Sequence, residues 1–342
     1  FGRITVGWDG VGVAPKNTLS GAAYGVTSVL EVGAGSRLSV SGVDPTGAGL
    51  QIPYGIVTSA RQWVDPSGID ISAQGMPWKQ VTLAAVDMRV DSGAALDIRG
   101  GGDVFGYRWI SGVGGTRDLL ASPNAYAIVP NHGLEYAPYA PFTQDRNAGL
   151  LGGDSGYVSA ALKVGDSLVL EGGDGFKGGR FTLLPARYAV MPGAFLVEPR
   201  AGVPDLVGKQ IDGTFVMRGY PQNVLSNGAR APSLTNGYTV TSRTGVLARA
   251  DYEVAGASEF MKQKASELGL GEVRGPADAG QIKLLAQSGL GFSGNIDARA
   301  VGAGRGGYVD FGVGGDVVLA GSREASGYPA GVLASGTFEG FG

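Results

Sequence analysis

This sequence predicts an all-β chain: a right-handed parallel β-helix that carries a β-rich insert and one short helix. Three observations predict it. The pattern V-x-(A/S)-G-(A/S)-x-L-(S/D)-(V/I)-x-G occurs at Val32–Gly42 and again, at identical spacing, at Val90–Gly100. A looser copy runs from Phe292 to Ala298. A short unit that recurs along a chain is the mark of a solenoid, whose every coil solves the same packing problem. The stretch from Gln80 to Gly100 is also echoed from Gln281 to Ala300 with one gap, some 200 residues later. A β-sandwich would give similar strand spacing but no such echo. Finally, the chain holds 62 glycines among 342 residues, roughly two and a half times the usual share, with a normal apolar content. That balance suits many tight corners between short strands.

Residues 1–100 read as coils. Ile4 and Val6, Val29 to Val32, Leu38 and Val40, Val81 and Leu83, Met88 and Val90, and Leu96 and Ile98 form short apolar runs that end at Gly, Pro, Asp or Ser. Such runs are too short for helices, and their β-branched residues favour strands. Residues 101–275 are richer in aromatics and proline and read as an insert with its own substructure. Its strongest strands are expected at Ser167–Leu170, Arg180–Leu184, Tyr188–Val190 and Ala194–Val197. One helix is expected over 258–268. Ser258 supplies the N-cap, Gly269 the stop, and Phe260, Met261, Ala265 and Leu268 the apolar face. Residues 276–342 return to the coil texture, with Ile282, Leu284, Leu290, Phe292 and Ile296 facing inward. Right-handedness follows from the general preference of parallel crossovers.

Composition excludes several functions. The net charge is −3 and no dense Lys/Arg run exists, so a nucleic-acid partner has no electrostatic footprint. No apolar run approaches the roughly 18 residues of a membrane-spanning helix. The absence of cysteine removes disulfides, zinc–thiolate sites and thiol catalysis. The start at Phe1 and the glycine-rich end at Gly342 lead to the expectation that the chain is part of a longer polypeptide.

Motifs that resemble active sites read as structure. Gly153-Asp154-Ser155-Gly156 matches a serine-protease nucleophile phrase, but the single histidine, His132, lies only 23 residues before Ser155 and lacks the expected neighbours. Gly302-Ala303-Gly304-Arg305-Gly306-Gly307 fits G-x-G-x-x-G, yet a strand-like run follows where a dinucleotide site needs a helix. Asp103, Asp166, Glu171 and Asp174 sit near glycines without the full spacing of a calcium repeat. Asp97 and Arg99 suggest a polysaccharide-cleaving centre, but Asp297 and Arg299 repeat them, which favours a structural ladder. The reading therefore assigns no catalytic residue, no cofactor and no metal. The candidate ligand contacts are aromatic: Tyr136, Tyr139 and Phe142 in a proline-spaced segment, and Trp109.

Three phrases in order resemble the filamentous haemagglutinin-like large exoproteins of Gram-negative bacteria, the passengers of two-partner secretion. They are Leu96–Tyr107 running into Gly114–Asp118, then Gly165–Leu170 with Phe181–Phe195, then Pro276–Leu284. The resemblance implies a β-helix exported unfolded through an outer-membrane transporter, which would recognise a region outside this chain. It implies a secreted or cell-surface location and a role as adhesin or biofilm matrix protein. The expected function is a non-catalytic structural and adhesive segment. Expected partners are a host-cell or matrix glycan or protein, and further copies of the chain joined end to end, with no nucleic acid. The alternatives left open are a β-helical polysaccharide-active enzyme and a subunit of an extracellular fibre.

Overall fold

A computed structural model describes residues 2–16, 20–112, 115–122, 124–130, 162–205, 207–222, 236–271, 273–314, 318–320, 332–334 and 338–339. The chain is mostly β. It divides into two compact units: Phe1–Gln51, Ala73–Val104 and Ala257–Gly342 make the first, and Ile52–Ser72 and Phe105–Gly256 the second. The expected insert, 101–275, has different boundaries from the second unit, which also takes up residues 52–72 and leaves 257–275 to the first.

In the first unit all strand pairs among the described residues are parallel. The echo in the sequence is a pairing in space: Gln80–Val90 lies beside Gln281–Phe292, with Gln80 opposite Gln281 and Leu83 opposite Leu284. Arg3–Val6 and Val29–Val32 pair with the other edge of Gln80–Val90. Tyr308–Val313 pairs with Gln281–Phe292. A second ladder joins Arg37–Ser39, Ala95–Asp97 and Asn295–Asp297. Identical positions therefore stack. Ile4, Val81, Ile282 and Val309 form one column, and Val6, Leu83, Leu284 and Phe311 the next. Leu38, Leu96 and Ile296 form another on the second ladder. Val81, Leu83, Leu96, Ile282 and Leu284 are fully buried, each contributing about 1.5–3 kcal/mol.

The repeat's glycines have separate tasks. Gly35 and Gly93 turn the corner with φ of 80° and 87°, a conformation that a Cβ disfavours. Gly42 and Gly100 close the two copies, and a Cβ there would collide with the backbone carbonyls of Gly101 and Ala277. Gly42 N–H donates to Arg99 O at 3.0 Å and Gly100 N–H to Arg299 O at 2.8 Å, so each copy is bonded closely to the next. The gap in the echo has a physical form. From Gln80 to Asp97 is 17 positions, and from Gln281 to Asp297 is 16. The second strand gains one residue at a bulge between Ala286 and Gly289 and loses two at the corner before Asn295.

The second unit is antiparallel throughout its described pairs. Its larger sheet runs in the order Gly179–Thr182, Ser167–Leu170, Phe215–Gln222, Asn236–Ser242, Phe195–Arg200, Tyr126–Ile128, Leu184–Pro185, with Gly208–Lys209 on Phe215–Gln222. Its smaller sheet joins Asp251–Gly256, Asp103–Ile110, Gln51–Val57 and Trp63–Val64. Leu168, Leu183, Val197 and Val240 fill one core, and Ala127, Leu184, Leu196 and Val246 another.

Three expectations need correction. Tyr188–Val190 is not a strand: Ala186–Val190 is a 3-10 helix. Pro185 fixes φ at −51° ahead of it, and Met191 N–H closes the turn on Tyr188 O, so the apolar alternation there reflects a buried turn. The expected single helix has a companion, Arg243–Arg249, whose N-cap Ser242 accepts from Gly245 N–H. With a glycine inside and only seven residues, it carried no legible period. The expected helix runs from Ala257 to Glu267, but Leu268 is 51% exposed and off its buried face. Gly269, at φ 62°, makes the left-handed stop. Ser258 is a donor rather than an accepting cap: its N–H and hydroxyl both reach Asp103 Oδ1 at 3.1 Å.

Candidate functional site

The second ladder of the first unit carries the densest charged cluster of the repeat. Successive strands there put Ser39, Asp97 and Asp297 at one position, and two residues further along the chain lie Ser41, Arg99 and Arg299. Because neighbouring parallel strands lie about 4.8 Å apart, arginine and aspartate side chains interleave. Asp97 accepts from Arg37 Nη2 at 2.5 Å, Arg99 Nη2 at 2.9 Å and Arg99 Nε at 3.0 Å. Asp297 accepts from Arg299 Nη2 at 2.6 Å and Nε at 2.9 Å, and lies 3.4 Å from Arg99 Nε. Arg37, Asp97, Arg99, Asp297 and Arg299 thus form one continuous line of alternating charge. Beside it lies a groove of about 480 Å³, lined by Arg37, Pro45, Asp97, Arg99, Asn295 and Asp297.

The electrostatics decide what this groove can do. Asp97 is 4% exposed. Burial pushes its carboxyl up, but the bonds from Arg99 and Arg37 outweigh it and hold the group at about 2. Arg99 is raised in turn by its bond to Asp97. A glycosidase acid needs the opposite, a carboxyl held protonated near neutral pH. Asp97 is a permanent acceptor whose lone pairs are taken by guanidinium donors. The arrangement can tie strands together and offer hydrogen bonds to a ligand, but Asp97 is poorly suited to deliver a proton.

A second cluster in the same unit was missed by sequence reasoning. Lys79 is 3% exposed, and its Nζ donates to Pro276 O and Asp278 O, both at 2.6 Å. Burial pushes its amine down to about 8, against a smaller upward pull from Asp278. Asp278 accepts from Gly275 N–H, Arg305 N–H and the Arg305 guanidinium. Arg274 lies 3.9 Å over the Trp78 ring, and Trp78 meets Tyr308 edge-on. These residues bind 76–79 to 274–278 across nearly 200 positions. No local pattern announces such a pairing.

The other sequence candidates have local partners or fall elsewhere. Asp103 binds the start of the Ala257–Glu267 helix. Asp166 accepts from Lys163 N–H and Asp174 from Lys209 N–H, and Glu171 is exposed. Among the described residues no group of three or more His, Cys, Asp or Glu could hold a metal ion. Gly302 and Gly304 lie in a turn that leads into the strand Tyr308–Val313. Trp109 pairs opposite Tyr252 and packs half-buried against the second unit's core beside Phe105 and Tyr107; among the described residues its buried indole N–H has no hydrogen-bond partner. Tyr136, Tyr139 and Phe142, as well as His132 and Gly153–Gly156, lie outside the described residues. No described helix is long and apolar enough to cross a membrane. No protein-family model, curated protein or solved structure matches the chain.

Proposed function

We propose that the chain is a non-catalytic structural and adhesive segment of a secreted bacterial surface exoprotein, with its first unit a right-handed parallel β-helix. One observation carries this reading: residues that repeat in sequence pair in parallel register, column upon column, down to the Asp97 and Asp297 positions. A charged pair that recurs at two successive levels serves the ladder, because a catalytic centre needs its carboxylates at one level only. The absence of cysteine suits export in an unfolded state. In this reading the second unit and the charged groove are what the helix presents to a host-cell or matrix glycan or protein.

The test is a panel of neutral and acidic polysaccharides offered to the purified chain, together with Asp97→Ala and Asp297→Ala. Beads coated with the chain should adhere to at least one surface glycan or cell monolayer, and no polysaccharide should be cut. Chain cleavage that either substitution abolishes would install the polysaccharide-active alternative. Beads that adhere to nothing would remove the adhesive half of the proposal.

A further inference from the structure

The cluster that joins 76–79 to 274–278 carries more positive charge than it needs. Three cations, Lys79, Arg274 and Arg305, surround one carboxylate, Asp278. That carboxylate is already filled by Gly275 N–H, Arg305 N–H and the Arg305 guanidinium, and its side chain is only 12% exposed. Lys283 and Asp310 stand opposite one another two positions further along the strands and cancel. Burial and the nearby Arg305 charge both push the Arg274 guanidinium down, as expected where two like charges are held close. Among the described residues Arg274 makes one hydrogen bond, from Nε–H to Met76 O at 2.8 Å, which leaves both Nη groups able to donate. Aromatic rings flank these charges. Arg274 lies 3.9 Å over the Trp78 ring, and Tyr308 meets Trp78 edge-on at 5.4 Å. Trp78 is 38% and Tyr308 43% exposed. Tyr308 O–H donates to Gln281 Oε1 at 2.6 Å, so its ring is fixed before any ligand arrives.

We propose that this shelf binds an acidic sugar, with the carboxylate of a uronic or sialic acid unit on Arg274 and Arg305 and the sugar ring on Tyr308 and Trp78. A guanidinium fork matches a planar carboxylate, and an anion set between two neighbouring guanidiniums relieves their repulsion. A pyranose ring has an apolar C–H face that lies flat on an aromatic ring, and its carboxylate sits at the rim of that face. The shelf offers the same pairing, open rings with cations at their edge. An acidic peptide carries its carboxylates on flexible stems without a flat apolar face, so it would use the charges and leave the rings idle. The shelf lies wholly within the first unit and shares no residue with the groove at Asp97. Such a site needs neither the export nor the rod of the adhesive reading, and it adds to that reading a surface and a ligand class.

Titration calorimetry of the whole chain tests it with oligogalacturonate, hyaluronan oligosaccharides and sialyllactose. At least one should bind more tightly than about 5 mM, and the pattern separates uronic from sialic acid. The methyl ester of the bound sugar should bind at least about 10-fold more weakly, because the guanidiniums lose their anion. Arg274→Gln and Trp78→Ala should each weaken binding at least about 10-fold, and Trp78→Phe, which keeps a ring, less. In the chain grown with 5-fluorotryptophan, the fluorine signal that Trp78→Phe removes should shift when sugar is added, a readout that holds even if Arg274→Gln or Trp78→Ala fails to fold. A panel in which no sugar binds within that limit overturns the proposal, and so does an ester that binds as well as its acid. Binding that survives Arg274→Gln and Trp78→Ala but is lost with Arg37→Gln would move the sugar to the groove, sinking the shelf and leaving the adhesive reading intact. An aspartate-rich peptide that binds as tightly as the best sugar would hand the surface to an acidic protein and overturn it as well.

Discussion

The two units solve the same problem, burying β-strands, with opposite geometry. In the first, Leu83 lies beside Leu284 and Leu96 beside Ile296, because parallel neighbours occupy equivalent positions. In the second, Leu168 faces Phe181 on one side and Pro221 on the other. An antiparallel neighbour occupies an unrelated position, so its residue type is free to differ. The consequence is that the first unit writes its pairing into the sequence as repetition, while the second writes only alternation, which any half-buried strand shows.

The comparison breaks most sharply at Gly100. A valine there would push into the Ala277 carbonyl, and we expect a loss of more than about 4 kcal/mol. Hydrogen exchange should rise across Gln80–Val90 and Gln281–Phe292 while Ser167–Leu170 keeps its protection; equal loss in both would show that the units do not differ as described. Next come Leu284→Ala and Leu196→Ala, one fully buried leucine in each unit, at about 2–5 kcal/mol each. Urea unfolding separates them if followed through Trp8 and Trp78 in the first unit and Trp63 and Trp109 in the second, with the other pair replaced by phenylalanine. Each leucine should shift its own unit's transition.

Asp97→Asn should cost about 2 kcal/mol, since it leaves Arg99 without its carboxylate. Asp97 has its carboxyl held at about 2 against an ordinary 3.8. Its contribution is present above 3.8 and disappears as pH falls through 2. The difference between the original chain and the variant should therefore close over that interval in acid melts. The smallest effect lies at high pH and has opposite sign in the two units. Lys79 is at about 8 in the fold against 10.5, so its contribution is full above 10.5 and lost as pH falls through 8. The first unit should gain stability from pH 8 to 10, and Lys79→Met should flatten that rise. In the second unit burial raises Tyr54 and Tyr107 to about 12, and burial with the Asp118 bond raises Tyr252 as well. Their contribution holds below pH 10 and is lost as pH rises through 12. Burial also raises Tyr126, Tyr188 and Tyr238; Arg187, pushed down to about 10 by burial, opposes these tyrosines, so the second unit should weaken.

These differences also mark what the sequence could reveal. The pairing of residues 80–97 with 281–297 was readable because the same side chains return. Residues 52–72 were read as coil because Ile52, Ile69 and Ile71 alternate like their neighbours; Gln51–Val57 instead pairs antiparallel with Trp63–Val64 and lies beside Asp103–Ile110, a neighbour to which nothing local points. Tyr188–Val190 alternates as a strand would, and only Pro185 hinted at a turn. The groove was half legible. Asp97, Arg99, Asp297 and Arg299 stood out through repetition, but Arg37 reaches Asp97 across 60 positions from a copy whose own acidic place is held by Ser39. Lys79 belongs to no repeat, and nothing in the sequence tied it to the carbonyls of Pro276 and Asp278.

The long detour between Gln80–Val90 and Gln281–Phe292 has a consequence for how the molecule assembles. The second strand follows the first by 201 positions in the proposed export of the chain, and closing so large a loop is slow and entropically unfavourable. If the second unit folds while it emerges, that loop contracts to the distance between the unit's own ends, and the late strand finds its place sooner. The antiparallel body would then act as a clasp that sets the timing of the ladder, and mutations deep within it should delay the maturation of strands they never touch.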